Sequence, residues 1–502
     1  MTRTLIRDAT IVTMDARTGC APVRGDILID GAAIAAIGPD LQAGEGTEIV
    51  DGRDRLVMPG LVNAHTHSSE TFFKGRYERM PLEIWLLYAY GMLAAEPLPP
   101  RLLYLRSLLL AMESLRGGVT LLCDDFFDPP AHDIDRLGIV FQAYADAGIR
   151  ANVSSVVMDV PALDALPYAR AIMPPEVQTL LPAGPPVSVE AYIAFCREAL
   201  ARFAGRDGRL NYMIAPSAPQ RCTPAMLQVC HALAVEAGVP FHLHVLETVT
   251  QAVTGPMLYG KSLVRHMADL GVLSRNTTIA HAVWVDDDDI ALMGAAGCSV
   301  AHNAISNQKL GAGIAPVRRL MDAGVTVALG TDGLSSNDTA RIFDVMRVAG
   351  LIHSATGPDY GRWLGAEDVL RAATIGGARS AMLDATTGSL EPGKAADLIV
   401  LDLAGYAFTP LNDIAKHLVF AENGSSIERV MVAGRWVLKD GALTVVDERA
   451  VLAEIRDAVP ALLKKHAQSE LANRALEPWF AEIHRRASCH PRLDRYAGDG
   501  AA

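Results

Sequence analysis

A regular alternation of short apolar segments and longer helical segments runs through the middle of this sequence and constrains its fold more than any other feature. Eight apolar segments have the length and composition of buried strands, at residues 61–64, 120–123, 151–157, 210–215, 239–246, 277–280, 299–301 and 326–329. Eight successive βα units predict an α/β fold of the closed (β/α)8 TIM barrel type. An open doubly wound sheet is the alternative, and the missing Gly-rich turn after the first strand counts against it.

The two ends of the chain are strand-rich in another way. Short runs of Ile, Val and Leu lie at 4–12, 25–29, 33–37, 397–401 and 429–438. We therefore expect a small composite β-sandwich domain, an inserted metal-binding barrel and a C-terminal helical extension on the outside of the barrel. The β-sandwich is expected at 1–58 with 385–445, the barrel at 59–384 and the helical extension at 446–502.

Residues 166–187 interrupt the repeat. This segment contains six prolines and few periodic apolar positions, so it is predicted as a long loop. It is a candidate lid over the barrel mouth, and the alternative is a surface loop without a role.

Composition argues against several classes of function. The 502 residues carry a formal net charge of −12, which gives no support to a nucleic-acid partner. No apolar run approaches the roughly 20 residues needed to span a bilayer, and the N-terminus lacks a signal-peptide core, so no membrane partner is expected. The seven cysteines contain no C-x-x-C pair, a pattern typical of a reduced, cytoplasmic protein.

A His-x-His pair stands at the end of the first barrel strand. Alternate residues of a strand point to the same face, so His65 and His67 can offer two imidazoles to one point in the barrel mouth. Later strand ends supply His242, His244, His281, His302 and Asp332. Because barrel active sites are assembled from strand ends, we predict one divalent metal bound by His65, His67, His244 and Asp332. This ligand set suits Zn²⁺ best, and Fe²⁺ would also accept it.

Several stretches together resemble the metal-dependent amidohydrolase superfamily. They are MPGLVNAHTH at 58–67, HLHVLET at 242–248, IAH at 279–281, HNAISNQKLGAGIAPV at 302–317, GTDG at 330–333 and GSLEPGKAADLIV at 388–400. The resemblance covers nearly the whole chain. It is closest to the branch of cytosine-deaminase-like, adenosylhomocysteine-deaminase-like and triazine-hydrolase enzymes.

The resemblance implies hydrolytic deamination, in which hydroxide supplied by the metal displaces ammonia from a C=N carbon of a nitrogen heterocycle. Asp332 is expected both to bind the metal and to take the proton of the attacking water. Glu247 is expected to protonate a ring nitrogen of the substrate, and His281 to hydrogen-bond the hydroxide or the developing oxyanion. An alternative role for Glu247 is to orient a ligand histidine. Strand four has no lysine, which favours a single metal.

The same resemblance suggests which residues contact the substrate. Glu83 and Trp85 fall in the segment that covers the substrate in the branch, and the further candidates are Ser217, His302 and Asn303. Ser217 stands where nucleoside-deaminating relatives tend to have histidine, and Ala304 replaces the usual proline after Asn303. We therefore expect a free base, a pterin or a triazine rather than an adenosine-type substrate.

Three further interpretations remain. The same mechanism could release chloride, an alkylamine or nitrite instead of ammonia. The chain could also be a non-catalytic scaffold of amidohydrolase type, although a scaffold would be expected to have lost ligands that are present here. The family resemblance further implies a homo-oligomer, a dimer or larger.

Overall fold

The computed structural model describes residues 3–91, 97–127, 132–181 and 187–491. Its strands are β1 (Arg3–Ile11), β2 (Val23–Asp30), β3 (Ala33–Gly38), β4 (Glu48–Asp51), β5 (Arg55–Pro59), β6 (Leu61–Thr66), β7 (Val119–Asp124), β8 (Arg150–Val153), β9 (Leu210–Tyr212), β10 (Phe241–Val245), β11 (Thr277–His281), β12 (Ser299–His302), β13 (Thr326–Leu329), β14 (Leu398–Asp402), β15 (Ile427–Val432), β16 (Arg435–Lys439) and β17 (Ala442–Leu443).

The α-helices alternate with these strands through the middle of the chain and close it at the C-terminal end. They are α1 (Leu82–Ala89), α2 (Pro100–Arg116), α3 (Ile134–Ala147), α4 (Ala162–Ala165), α5 (Ala169–Ile172), α6 (Pro175–Gln178), α7 (Val189–Phe203), α8 (Pro224–Ala237), α9 (Val249–Tyr259), α10 (Leu263–Asp269), α11 (Asp287–Ala296), α12 (Ala304–Lys309), α13 (Val317–Asp322), α14 (Ile342–Ile352), α15 (Ala366–Arg371), α16 (Gly377–Ser380), α17 (Ile414–Phe420), α18 (Glu448–Asn473) and α19 (Glu477–Ser488). Among the described residues, no helix combines the length and apolar character needed to cross a membrane.

Both ends of the chain meet in one mixed sheet of nine strands. Its order is β17-β16-β15-β14-β5-β1-β2-β3, with β4 paired to β1. The two halves join where β14 runs antiparallel to β5, with Val400 opposite Val57. One face buries Ile6, Ile29 and Met431 in a common apolar cluster. The expectation that the two ends form one β-rich unit is therefore confirmed, although the short strands β4, β5 and β17 were not foreseen.

Eight parallel strands lie between these halves, as two four-stranded sheets ordered β6-β7-β8-β9 and β10-β11-β12-β13. They correspond one by one to the eight predicted segments. A parallel bridge from Ile214 to Phe241 links the two sheets at one seam. Beyond the C-terminal end of β13, the Asp332 N–H donates to the His65 carbonyl of β6 at 2.9 Å. This end of the strands carries the residues of the site described below.

Helix α8 shows how the local sequence produces the repeat. The Thr223 hydroxyl accepts a hydrogen bond from the Met226 N–H at the first turn, and Gly238 ends the helix in the left-handed conformation at φ +66°. The buried side chains recur at helical spacing on one face, at Met226, Leu227, Cys230, Leu233 and Ala234. That face packs on the parallel sheet and fixes the helix against β10.

Residues 166–187 are not the long loop that was predicted, because they contain the short helices α5 and α6. Met173 and Leu181 are buried in an apolar cluster with Trp85 and Phe480, so packing against α1 and α19 orders the segment. Positions 182–186 lie outside the described residues. The C-terminal extension is helical as predicted, but α19 contacts α1, α5 and α9 rather than only covering the outer helices.

Candidate metal centre and active site

Four side chains from the ends of β6, β10 and β13 converge on one point. Asp332 Oδ1 lies 3.4 Å from His65 Nε2 and 3.2 Å from His67 Nε2. His67 Nε2 lies 3.3 Å from His244 Nε2. Ligands held about 2.0–2.1 Å from one tetrahedral ion are about 3.3 Å from each other. Three of the distances among the four residues predicted as ligands therefore match this spacing, whereas the group of four whose ligand atoms all lie within 4.8 Å of one another has Asp125 in place of Asp332.

The remaining imidazole nitrogens set the orientation of the three histidines. His67 Nδ1–H donates to the Asp125 carbonyl at 2.7 Å, and His244 Nδ1–H donates to the Ser217 carbonyl at 2.9 Å. His65 Nδ1 lies 2.8 Å from His242 Nε2, so His242 orients the His65 ring. Within the described chain, the buried His65 Nε2 has no hydrogen-bond partner. The inner nitrogens thus present lone pairs to a common cation, which is the arrangement typical of bound zinc.

Two carboxylates that were not predicted also border this centre. The ligand atoms of Asp125, His65, His67 and His244 all lie within 4.8 Å of one another, and so do those of Glu70, His67 and Asp332. Burial raises the pKa of Asp125 to about 7. Glu70 accepts hydrogen bonds from the Tyr90 hydroxyl at 2.8 Å and the Ser335 hydroxyl at 2.7 Å. These bonds hold the segments after β6 and β13 together.

Asp332 is ionised by its surroundings. Burial alone would raise its pKa, but the imidazoles of His65 and His67, whose Nε2 atoms lie 3.4 and 3.2 Å from Oδ1, hold the pKa well below the ordinary value. Its second oxygen, Oδ2, accepts from the Ser306 hydroxyl at 2.5 Å and from the Ser336 hydroxyl at 3.2 Å. Oδ1 of Asp332 therefore faces His65 and His67, while Oδ2 is held by the two serine hydroxyls.

Glu247 lies next to His281 and does not belong to the groups of possible metal ligands. Its carboxylate Oε1 is 3.7 Å from His281 Nε2, and its backbone N–H donates to Gln251 Oε1 at 2.9 Å. Burial raises the pKa of Glu247 to about 7. His281 Nδ1–H in turn donates to Asn307 Oδ1 at 2.8 Å, which leaves Nε2 facing Glu247. Glu247 can therefore give or take a proton near neutral pH.

The backbone turns sharply where these side chains leave the strands. Leu246, His281, Ala282 and Asp332 all have positive φ, at +53°, +77°, +48° and +61°. Residues with a Cβ rarely adopt this region, and such conformations gather at functional sites where the surroundings enforce them. Gly330 is required by close approach, because a Cβ there would lie 2.3 Å from Asn303 Oδ1. The mouth is thus built from constrained backbone.

Two of the predicted substrate contacts, Glu83 and Trp85, lie on helix α1. Glu83 is buried and accepts from the Thr248 hydroxyl at 2.8 Å, next to Glu247. Glu83 Oε2 lies 3.4 Å from Nδ1 of His484, which comes from α19. Trp85 is buried, and its indole N–H has no hydrogen-bond partner among the described residues. The terminal helix therefore contributes to the site, which its sequence pattern did not indicate.

The other predicted substrate contacts, Ser217, Asn303 and His302, have different neighbours. Ser217 accepts from His244 through its carbonyl, as described above, and its hydroxyl accepts from Arg221 Nη1 at 3.3 Å. Asn303 Nδ2 lies 3.3 Å from His281 Nδ1. His302 Nε2 lies 3.3 Å from His353 Nε2 on the far side of the strand end. The structure thus brings Ser217 and Asn303 to the cluster and pairs His302 with another histidine.

Comparison with known proteins identifies a family and several relatives that are similar to this chain. Residues 56–437 match the family model described as "Amidohydrolase family". The 5'-deoxyadenosine deaminase of Methanosarcina mazei is 32% identical over 467 residues, which cover 92% of this chain and 98% of that protein.

Two solved structures containing zinc are also similar. An adenosine deaminase from Xanthomonas campestris with bound zinc has a TM-score of 0.77 at 27% identity, and the match covers 94% of this chain and 99% of the other. An atrazine chlorohydrolase from Arthrobacter aurescens complexed with zinc has a TM-score of 0.80 at 26% identity, covering 90% and 99%. With the family model matching most of its length, the chain belongs to the amidohydrolase family.

Proposed function

We propose that this protein is a metal-dependent deaminase that hydrolyses the exocyclic C–N bond of an amino-substituted nitrogen heterocycle and releases ammonia. One observation carries the proposal above the others. A buried carboxylic acid with a pKa of about 7, Glu247, lies 3.7 Å from His281, which has a ring nitrogen within 4.8 Å of ligand atoms of His65 and Asp332. An acid that can give and take a proton near neutral pH is the group this reaction needs.

The metal is proposed to be one Zn²⁺ held by His65, His67, His244 and Asp332, with Fe²⁺ as the other possibility. When bound, zinc lowers the pKa of water toward 7 and so supplies hydroxide at neutral pH. The solved relatives with zinc, and the short distances from Asp332 to His65 and His67 and from His67 to His244, support this assignment. Asp125 and Glu70 are proposed to balance the positive charge of the site.

The protein side chains have separate tasks in this mechanism. Asp332 is held ionised, so its Oδ1 can accept a proton from the attacking water. Glu247 donates its proton to the ring nitrogen next to the attacked carbon. The proton that Asp332 accepted then goes to the amine, which leaves as ammonia, and Glu247 regains a proton from the hydroxyl group as the product carbonyl forms. His281, oriented by Asn307, donates or accepts a hydrogen bond at the developing oxygen. Glu83, Trp85, Ser217, His302 and Asn303 remain the proposed substrate contacts.

The names of the relatives support the substrate class and widen it. The curated relative acts by its name on a deoxyadenosine, so adenine rings join the free bases, pterins and triazines that the sequence favoured. The similarity to the zinc-containing chlorohydrolase supports the alternative in which chloride leaves instead of ammonia. A non-catalytic scaffold is disfavoured, because all four proposed ligands and Glu247 are present.

We also propose the finer architecture that the sequence suggested. Strands β6–β13 close into one barrel, supported by the Ile214–Phe241 bridge at one seam and the Asp332–His65 backbone bond at the other. The mixed sheet and the helical extension would then be the two accessory parts, with the bounds given for the sequence. Self-association remains a prediction, which the molecular mass in solution would test.

The test is metal content followed by an ammonia-release assay. Protein purified without added metal should contain about one zinc or iron per chain, and it should release ammonia from at least one aminopurine, aminopyrimidine, pterin or aminotriazine. Glu247→Gln should lose at least about 100-fold in kcat, whereas Glu236→Gln, an exposed control on α8, should match the wild type. Chloride, amine or nitrite release without ammonia would favour the other leaving groups, and a chain that binds no metal would overturn the proposal.

A further inference from the structure

Helix α12 carries two neighbouring polar residues that contact different parts of the site. The Ser306 hydroxyl donates to Asp332 Oδ2 at 2.5 Å, and the side-chain oxygen of Asn307 accepts from His281 Nδ1–H at 2.8 Å. Both Ser306 and Asn307 are buried. The proposed mechanism assigns tasks to Asp332 and His281, and Asn307 orients His281, but Ser306 has no task in it.

The backbone around α12 fixes where the Ser306 hydroxyl lies. The Ser306 carbonyl accepts from the Leu310 N–H at 2.9 Å, as expected of a helix that ends at Lys309. From the same helix, Lys309 Nζ donates to the Ser335 carbonyl at 3.0 Å. Ser335 belongs to the segment that follows Asp332 in the sequence, so this contact ties α12 to the segment that carries the carboxylate. The packing of these two segments therefore brings Ser306 to Asp332.

The two carboxylate oxygens of Asp332 have different neighbours. Oδ1 faces two imidazoles of the proposed ligand set, at 3.4 and 3.2 Å from their Nε2 atoms. Oδ2 accepts from Ser306 at 2.5 Å, and the Ser336 hydroxyl lies farther away at 3.2 Å. The Ser336 hydroxyl also lies 3.1 Å from the Gly333 carbonyl, so its single hydrogen is shared between two acceptors. Ser306 therefore makes the shorter and stronger bond to Oδ2.

The hydrogen bond from Ser306 limits the ways in which Asp332 can bind a metal. A carboxylate coordinates a cation through one oxygen or through both, whereas a catalytic zinc site needs one coordination position left for water. If Oδ2 also turned toward the metal, it would fill that position. The turn would leave the buried Ser306 hydroxyl without its acceptor, which is unfavourable inside a protein. Oδ2 is therefore held in the orientation that leaves only Oδ1 for the metal.

We propose that Ser306 is a positioning residue, which limits Asp332 to one coordinating oxygen and so keeps a coordination position open for water. This inference rests on the proposed function, because it concerns a ligand of the same metal centre. It also accounts for the placement of Ser306 beside Asn307. One short helix then holds both the proposed ligand Asp332 and the hydrogen-bonding group His281 in their working orientations.

The experiment tests whether a coordination position is open. The full-length protein is freed of metal with a chelator and reloaded with Co²⁺, which gives a zinc site a visible absorption spectrum. Azide is then titrated, because it binds at an open position of the cobalt ion and shifts this spectrum. The dissociation constant of azide is the readout. Cobalt content and melting temperature show whether each protein is loaded and folded.

The variants separate the hydroxyl group from the space that it fills. Ser306→Ala removes the hydroxyl, Ser306→Thr keeps one, and Ser306→Val has nearly the shape of threonine without a hydroxyl. Asn307→Ala changes the neighbouring residue, whose side-chain oxygen contacts His281. Ser354→Ala is the matched control, because it removes an exposed hydroxyl that donates to the Leu351 carbonyl.

Ser306→Ala and Ser306→Val should raise the dissociation constant of azide by about 10- to 100-fold, the size expected when a group that orients a metal ligand is lost. Their kcat should fall with little change in KM, because the substrate contacts are unaltered. Ser306→Thr and Ser354→Ala should match the wild type. Asn307→Ala should lower kcat through His281, while azide binds as tightly as before.

Three results would overturn the inference. The first is unchanged azide binding in Ser306→Ala, and the second is a cobalt-loaded wild type that binds no azide. The third is a folded and loaded Ser306→Thr that binds azide as weakly as Ser306→Val. If the two larger side chains prevent folding, the azide titration of Ser306→Ala decides alone.

The azide titration also separates this inference from the proposed function. Azide binding that depends on Ser306, in a protein that releases no ammonia from any compound tested, would support the inference and refute the deaminase. Ammonia release, combined with azide binding that is the same with and without the Ser306 hydroxyl, would do the reverse. A wild-type chain that takes up neither zinc nor cobalt would overturn both.

Discussion

Replacing Glu247 by glutamine should stabilise the protein at alkaline pH while it abolishes turnover. The pKa of Glu247 is about 7, against an ordinary value of 4.5, because burial disfavours the ionised form. At about 1.4 kcal/mol for each pKa unit, this difference corresponds to about 3 kcal/mol. Glutamine has a similar shape and no charge, so it avoids the cost of burying a carboxylate.

The sign of the effect depends on pH in a defined way. Below pH 4.5 both the folded and the unfolded chain hold the proton, so the carboxyl contributes its full stability. Between pH 4.5 and 7 the unfolded chain releases the proton first, and the free energy of unfolding of the wild type falls relative to the variant. Above pH 7 the difference stays constant at about 3 kcal/mol.

The assay is urea unfolding of the chelator-treated protein at pH 4, 6 and 8.5. Glu83→Gln is the matched control, since Glu83 is also buried but its pKa is lowered where that of Glu247 is raised. Burial would raise its pKa, yet hydrogen bonds from His484 and two threonines lower it, so its removal should destabilise the protein at pH 8.5. Metal loading should shrink the Glu247→Gln effect, because a dication favours the carboxylate. A variant equal to or less stable than the wild type at pH 8.5 would refute this reasoning.

Three further predictions follow from the contacts of the site. Asp332→Asn should weaken metal binding by at least about 100-fold, measured by competition with a chromophoric chelator. His484→Ala should raise KM by about 2- to 10-fold with little change in kcat, because His484 holds Glu83 in place. Gly333→Ala should lower the free energy of unfolding by about 1 to 3 kcal/mol, since a Cβ there would lie 1.8 Å from the Glu70 carboxylate.

Each of these changes has a control that isolates its cause. Arg485→Ala alters an exposed neighbour of His484 and should leave KM unchanged. Gly357→Ala adds a methyl group where no atom lies within 4 Å and should leave stability unchanged. Unaltered metal affinity in Asp332→Asn, or a kcat effect without a KM effect in His484→Ala, would contradict the assigned roles.

The order of strands and the proposed metal ligands could be read from the sequence because both are local properties. A strand is a short apolar segment between turn residues, and its hydrogen-bonding partners along a βα repeat are its neighbours in the chain. His65 and His67 share a face by the two-residue period of a strand. All eight parallel strands were foreseen, and their C-terminal ends carry the predicted ligands.

Tertiary packing decided the parts of the site that come from elsewhere in the chain. Asp125 and Glu70 lie in connecting segments whose course no periodicity predicts, and His484 comes from a helix more than 200 residues away from Glu247 in the sequence. The same packing formed the short helices at Ala169–Ile172 and Pro175–Gln178 and paired His302 with His353.

The protonation states were also beyond the sequence. Glu247 and Glu83 are the same residue type and are both buried, yet burial raises the pKa of one while hydrogen bonds lower the pKa of the other. The sequence by itself determined which chemical groups stand at the strand ends. Only the folded structure determined which of those groups hold a proton, because desolvation and hydrogen bonding depend on neighbours brought together from distant segments.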